Sequence, residues 1–234
     1  MIKLGLFLAL CLTISSASVF AQSTIFNAPS TDVSEKNRTY VEVDFIGHFD
    51  KYKNGGFQTY GWRATRGVTK NIELGANLFY SRDGGDEIPF SVHPNAKWQV
   101  YKSERKKFAV STGIIASVPL NRAAGSRPTA MFYSNVSKEI SQLKNMRATF
   151  GGYKMLGTKE EDGDSAGVFV GVEQPLFKRV SFTGDWFSGN NDVGYATPGL
   201  SFVTGKNQIL GVGYSFGNNG RGNNAFTTFY GITF

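Results

Sequence analysis

The sequence predicts an all-β fold: a transmembrane antiparallel up-and-down β-barrel of about twelve strands (10–14), following a cleaved leader. Three observations predict it. Apolar and polar residues alternate with period two from Tyr40 to the last residue. The alternating segments are even in number, and each is close to the ~9–11 residues that a tilted strand needs to cross a bilayer. The composition is rich in glycine (28 of 234) and aromatics (14%) but poor in charge (18%). A disordered chain would be charge-rich and aromatic-poor, and a helical bundle would be rich in Ala, Leu, Glu and Lys with little glycine. The single cysteine excludes a disulfide scaffold and a cysteine-based zinc site.

The first element, 1–21, reads as an export signal. Met1-Ile2-Lys3 is a short cationic start, 4–14 is an apolar run, and Val19-Phe20-Ala21 places small residues where a signal peptidase reads. The run is shorter than the ~18–20 apolar residues of a membrane-anchoring helix. Cys11 lies inside it, away from the cleavage point, which argues against a lipid-modified N-terminus. The mature chain would begin at Gln22 without cysteine, outside the cytoplasm. Residues 22–38 form an N-terminal extension containing Asn27, Pro29, Ser30 and Asp32. Two places are open to it, the periplasm or the lumen as a plug, and a disordered terminus is the default.

The barrel is expected over 39–234. Thr39-Val41-Val43-Phe45 share one face of the first strand and Tyr40-Glu42-Asp44 the other. The same reading places strands at 39–49, 56–64, 71–82, 88–101, 107–119, 129–137, 146–156, 166–175, 180–188, 194–203, 207–216 and 225–234. Pro94 and Pro198 fall inside two of them, so the fourth and tenth are expected to start later or to carry bulges. Ile140, Leu143 and Met146 are three apart, which leaves a short helix open for 137–146. No later segment resembles a membrane-spanning helix, so a membrane location requires closure, because lipid cannot satisfy unpaired backbone groups.

Charge separates with the turns. If the first strand runs outward, the inner connections carry Arg66, Lys70, Lys102, Glu104, Arg105, Lys106, Lys107, Lys138, Glu139, Lys144, Lys178, Arg179 and Lys206, eleven positive and two negative. The outer connections carry nine acidic and six basic residues, with acidic groups at 83–87 and 160–164. The formal net charge of +7 is therefore polarised between two rims and is not the uniform basic face that nucleic acid would require. Basic residues at the inner turns (Lys70, Lys107, Lys144, Arg179, Lys206) are each followed by a glycine: Gly75, Gly113, Gly151, Gly184 and Gly211. This reads either as a degenerate hairpin repeat or as convergent turn chemistry. Aromatics gather at strand ends, with Phe79, Tyr80, Tyr153, Trp186, Phe187, Tyr214 and Phe216 outside and Trp98, Tyr101, Phe177, Phe202 and Phe234 inside. Two such girdles suit the lipid–water boundaries.

The leader, the even strand count and the last strand, Thr227-Thr228-Phe229-Tyr230-Gly231-Ile232-Thr233-Phe234, resemble Gram-negative outer-membrane β-barrels, porin-like but of no specific family. The resemblance covers architecture only and transfers no functional residues. It implies outer-membrane lipid and lipopolysaccharide as surroundings, and the barrel-assembly machinery as the reader of the terminal phenylalanine.

Enzymatic signals are weak. Gly163-Asp164-Ser165-Ala166-Gly167 matches G-x-S-x-G, but that motif needs a strand before the serine and a helix after it, whereas here a strand follows an acidic loop. Only His48 and His93 are available as bases, and neither has a third partner in sequence. The acidic loops lack EF-hand spacing and read as solvated charge. No cofactor or catalytic residue is implied.

The polar faces carry the functional signal. Glu42, Asp44, Arg63, Glu73, Lys97, Arg147, Glu173 and Asp185 lie opposite the apolar face of their strands and are the expected pore-lining residues. Asp44 is expected to face Arg63, and Glu73 to face Lys97. Inward charge must be hydrated or paired, so it either lines a narrow wet channel or closes the lumen. The reading that follows is a passive, narrow channel for small solutes. The alternatives are a closed structural or surface-interaction barrel and, less favoured, a lipid-modifying enzyme.

Overall fold

A side-chain period of two gives each strand one face for lipid and one for the lumen, and closure removes the edges that lipid could not solvate. The computed structural model describes residues 23–220 and 222–234; the expected leader, 1–21, lies outside them. Twelve strands form one closed sheet. They are Thr39–His48 (β1), Phe57–Gly67 (β2), Ile72–Arg82 (β3), Phe90–Ser103 (β4), Phe108–Pro119 (β5), Thr129–Ile140 (β6), Met146–Leu156 (β7), Ala166–Phe177 (β8), Val180–Phe187 (β9), Tyr195–Gly205 (β10), Gln208–Gly217 (β11) and Ala225–Thr233 (β12). Each pairs antiparallel with its sequence neighbours, and β1 closes on β12 with Glu42 opposite Gly231 and Asp44 opposite Phe229. The short connections lie at the end where the sheet begins and ends, so the basic and acidic turn sets occupy opposite rims.

Several boundaries differ from the expected ones. β2 continues to Gly67, β4 to Ser103 and β6 to Ile140, because pairing runs on into the polar rim after the apolar alternation fades. The stretch open to helix, 137–146, is strand to Ile140, a single 3-10 turn at Ser141–Leu143, and strand again from Met146. Lys144 and Asn145 take left-handed backbone there (φ 54° and 59°), which reverses the chain too sharply for helix. The fourth and tenth strands do each carry a bulge, but away from the proline. Pro94 pairs with Ala76 of β3, while pairing across to β5 steps from Val92 opposite Val118 to Asn95 opposite Ile115 without a shift. Pro198 likewise pairs with Gly184 of β9, and pairing to β11 steps from Ala196 opposite Phe216 to Gly199 opposite Gly213. The missing N–H thus falls on one side of each strand, and the ladder on the other side continues. The bulges lie nearer the inner rim, at Gln99/Tyr101, Pro175/Phe177 and Val203/Gly205.

Ten of the twelve strands expose at least one large apolar or aromatic side chain outward, among them Val43, Trp62, Leu74, Phe132, Phe150 and Leu200. An apolar surface that encircles the molecule requires a lipid solvent. Trp98, Tyr101, Phe177 and Phe234 ring its inner edge, and Tyr80, Trp186, Tyr214 and Phe216 its outer edge. Three aromatics expected in the outer girdle belong instead to the lumen. Tyr153 and Phe187 are buried, and Phe79 lies beneath the Arg63 guanidinium, 5.5 Å from ring centroid to Cζ. Their positions have the parity of the inward face.

That parity also accounts for much of the glycine. Phe79, Tyr133, Phe169 and Phe229 point inward directly opposite Gly61, Gly113, Gly151 and Gly211 on the neighbouring strand. Each ring lies over its glycine where a Cβ would collide with it. Gly113, Gly151 and Gly211 are three of the repeated glycines, so for them the repeat marks seats for inward rings. Gly184 is not of this kind, since its nearest neighbours are backbone atoms of β10 and the Phe182 ring.

Candidate functional site: the lumen and the segment seated in it

The inward positions are occupied mainly by polar side chains, and β1 and β2 hold the first charge cluster. Glu42 is directly opposite Arg63, while Asp44 is opposite Gly61. The Arg63 Nε nevertheless donates to Asp44 Oδ2 at 2.6 Å, reaching diagonally through the space that Gly61 leaves open, and lies 3.4 Å from Glu42 Oε1. The Tyr40 hydroxyl donates to the other Glu42 oxygen. One guanidinium therefore serves two carboxylates that are almost wholly removed from solvent (side-chain exposure 2% and 6%). This is the arrangement under which buried charge is tolerated.

A second set spans β3, β4, β7 and β8. Glu73 and Lys97 are direct cross-strand partners, yet their charged atoms stand 3.7 Å apart. Arg147 Nε and Glu173 Oε2 are also separated by 3.7 Å, too far for a hydrogen bond. Glu73, Lys97 and Arg147 turn instead toward residues 23–34. The N-terminal extension enters at the inner rim and folds back inside the barrel, with Thr24 and Pro29 bridging antiparallel. Ile25, Phe26, Ala28, Thr31 and Val33 are buried.

The wall contacts of this segment are mostly polar. Glu73 accepts from the Ser23 hydroxyl (2.6 Å) and from the Ser34 amide and hydroxyl (both 2.7 Å). Lys97 Nζ donates to the carbonyls of Ser23 (2.6 Å) and Asp32 (2.8 Å). Gln99 donates to the Thr31 carbonyl and Asn135 to that of Pro29. Arg147 pairs with the Asp32 carboxylate and donates to Thr31 Oγ1 at 2.6 Å. Asp185 makes the most concentrated contact. Its Oδ2 accepts the three successive amides of Phe26, Asn27 and Ala28 at 2.9, 2.7 and 2.7 Å.

Apolar contacts fix the rest. Ala28 joins Met131, Tyr133, Tyr153, Phe169 and Phe187 in the buried cluster. The Phe26 ring meets Phe229 edge-on (5.6 Å) and lies against Gly199 and Gly213, while Ile25 occupies the space over Gly171. At the rim, Lys36 bridges Gly67 in parallel, the Asn37 amide donates to the Gly67 carbonyl at 2.8 Å, and a left-handed Asn37 (φ 66°) turns the chain into β1.

All eight charged residues singled out in sequence face the lumen, but they do not form one ring. Glu42, Asp44 and Arg63 satisfy one another, Glu73, Lys97, Arg147 and Asp185 hold the N-terminal segment, and Glu173 stands beside Arg147 at 3.7 Å without a hydrogen bond to it. Sequence reasoning missed the uncharged wall partners, Gln99, Asn135, Ser137 and Thr197. Their shared inward parity was the available signal. The histidines lie apart from these groups. His93 Nε2 is within reach of Ser91 Oγ (2.9 Å) and Ser117 Oγ (3.1 Å), His48 Nδ1 contacts the Asn224 carbonyl, and among the described residues no carboxylate is hydrogen-bonded to either ring. Ser165 accepts from Lys154 in an outer loop. Among the described residues there is no group of three or more His, Cys, Asp or Glu arranged to hold a metal.

A closed, apolar-belted sheet around a polar interior defines the class: a twelve-stranded transmembrane β-barrel of the outer-membrane type. Solved structures with this fold include the KdgM porin in complex with disordered oligogalacturonate, at 8% identity and a TM-score of 0.58, covering 84% of this chain and 98% of that one. Another is an outer membrane channel from Pseudomonas putida F1, at 12% identity and a TM-score of 0.55, covering 86% and 96%. No protein-family model and no curated protein sequence matches the chain.

Proposed function

We propose that this chain is a narrow, passive, porin-like channel for small solutes in the outer membrane. The carrying observation is the interior: the barrel wall presents ionised and amide side chains where a purely structural barrel of this width could be filled with apolar ones. On this reading Glu42, Asp44, Arg63, Glu73, Lys97, Arg147, Glu173 and Asp185 line the conduit. The leader at 1–21 exports the chain, and the barrel-assembly machinery recognises its terminal strand. The structural neighbours include a porin and an outer membrane channel, which supports this reading. The second reading, a closed interaction barrel, is favoured by the segment that occupies the lumen. A lipid-modifying role has less support, because among the described residues no carboxylate orients either histidine. Planar-bilayer recording of the refolded full chain separates the two main readings. Discrete unitary currents support the channel, and a silent membrane containing correctly folded barrels refutes it.

A further inference from the structure

We infer that the lumen holds a peptide-binding seat whose resident ligand, residues 23–34 of the same chain, is exchangeable, and that its departure opens the conduit. The inference rests on the channel reading and adds how that channel is closed.

The seat recognises peptide backbone. Asp185 reads three consecutive amides through one oxygen, and Lys97, Gln99 and Asn135 read the carbonyls of Ser23, Asp32, Thr31 and Pro29. Two shallow hollows over glycines, at Gly171 and at Gly199 with Gly213, take the side chains of Ile25 and Phe26. Arg147 adds a charge contact to Asp32. The ligand chemistry is thus an extended or folded-back segment with an aliphatic–aromatic pair followed by small residues and an acid.

The contacts are also of a kind that can be undone. A permanent core plug would meet an apolar wall, and its loss would expose that wall at a cost of about 25 cal/mol per Å². Here the wall groups that hydrogen-bond the segment are charged, amide or hydroxyl side chains that water can solvate once it leaves, so the apolar contact at Ala28 and Phe26 is only part of what departure exposes. The tether supports the same conclusion. Glu35, Lys36 and Asn37 are exposed at the rim, so the segment can swing out through the inner opening without disturbing the β1–β12 seam.

The test uses the full chain with Thr31→Cys and Ser137→Cys, whose hydroxyls now lie 2.5 Å apart, in a Cys11→Ser background. Oxidation is expected to lower the mean bilayer current at least tenfold, and reductant to restore it. Equal currents in the oxidised and reduced states would overturn the gate while leaving the channel reading intact. A second readout does not depend on conduction. Asp185→Ala added to the cysteine pair should slow disulfide formation under mild oxidant at least threefold, because the segment spends less time in its seat. An unchanged rate would overturn the seat even if every variant were electrically silent, a silence that would refute the channel reading itself. Phe26→Ala, which lies outside the strands, provides the same comparison should Asp185→Ala fail to fold.

Discussion

Removing the Arg63 guanidinium leaves the two neighbouring β1 carboxylates, Glu42 and Asp44, in the barrel wall without the cation that serves both. Arg63 touches Asp44 at 2.6 Å and Glu42 at 3.4 Å, and those carboxylates are 6% and 2% exposed. Arg63→Ala therefore converts a satisfied triad into two buried like charges. Breaking one buried pair costs about 3–5 kcal/mol. The Phe79 face below the guanidinium contributes a further ~0.5–1 kcal/mol. We expect Arg63→Ala to lower unfolding stability in lipid vesicles by about 3–5 kcal/mol, since water entering the lumen offsets part of the sum. Arg63→Lys should recover little, because an ammonium lacks the planar fork. Adding Glu42→Gln and Asp44→Asn to Arg63→Ala should restore most of the loss by removing the unpaired charge. The assay is urea unfolding followed by tryptophan fluorescence and by heat-modifiable gel mobility. A loss below ~1 kcal/mol for Arg63→Ala, or no recovery in the triple variant, would refute lateral pairing as the means by which the lumen carries its charge.

Three further outcomes follow from other parts of the barrel. Trp62 lies at the centre of β2 on the lipid face, so Trp62→Arg should cost ~2–4 kcal/mol in the same unfolding assay, with no effect on solute passage. Gly211→Val would drive a branched side chain into the Phe229 ring and should destabilise by ~1–3 kcal/mol, with Phe229→Ala relieving part of it. In the outer loops, the Lys159 amide and the Arg127 guanidinium both donate to Asp162 and hold its carboxyl below the ordinary 3.8. A depressed carboxyl stabilises the loop above its unfolded value and loses that contribution as pH falls through the folded one. The Asp162 side-chain carbonyl resonance should therefore titrate below 3.8, and a midpoint at or above 3.8 would contradict the contact.

Much of this architecture was legible because one physical signal, period-two alternation, carries strand, face and membrane exposure together. Val41, Val43 and Trp62 alternate with Glu42 and Arg63, and that alone sets lipid side against lumen side. The signal weakened where two environments share a position along the strand. Tyr153 and Phe187 sit at strand ends as girdle aromatics do, and only their parity, shared with Gly151 and Asp185, marks them as inward. The cross-strand pairing of Glu73 with Lys97 follows from hairpin register, but register does not reveal that both groups turn toward a third chain segment. Residues 23–34 carry no periodicity, so their lodging in the lumen had no sequence signature of its own. Its nearest trace was Asp185, an inward carboxylate whose cross-strand neighbours, Gly171 and Thr197, offer it no cation.

The central claim is that a polar conduit runs through this barrel and is closed by its own N-terminal segment. Single-channel recording of the full chain beside Asp185→Ala tests it most directly. Asp185 anchors three amides of that segment, so the account predicts discrete currents of the same unitary size in both proteins, with open time at least tenfold longer in the variant. Folded, heat-modifiable barrels that stay silent in both proteins, or that open equally often, would contradict it.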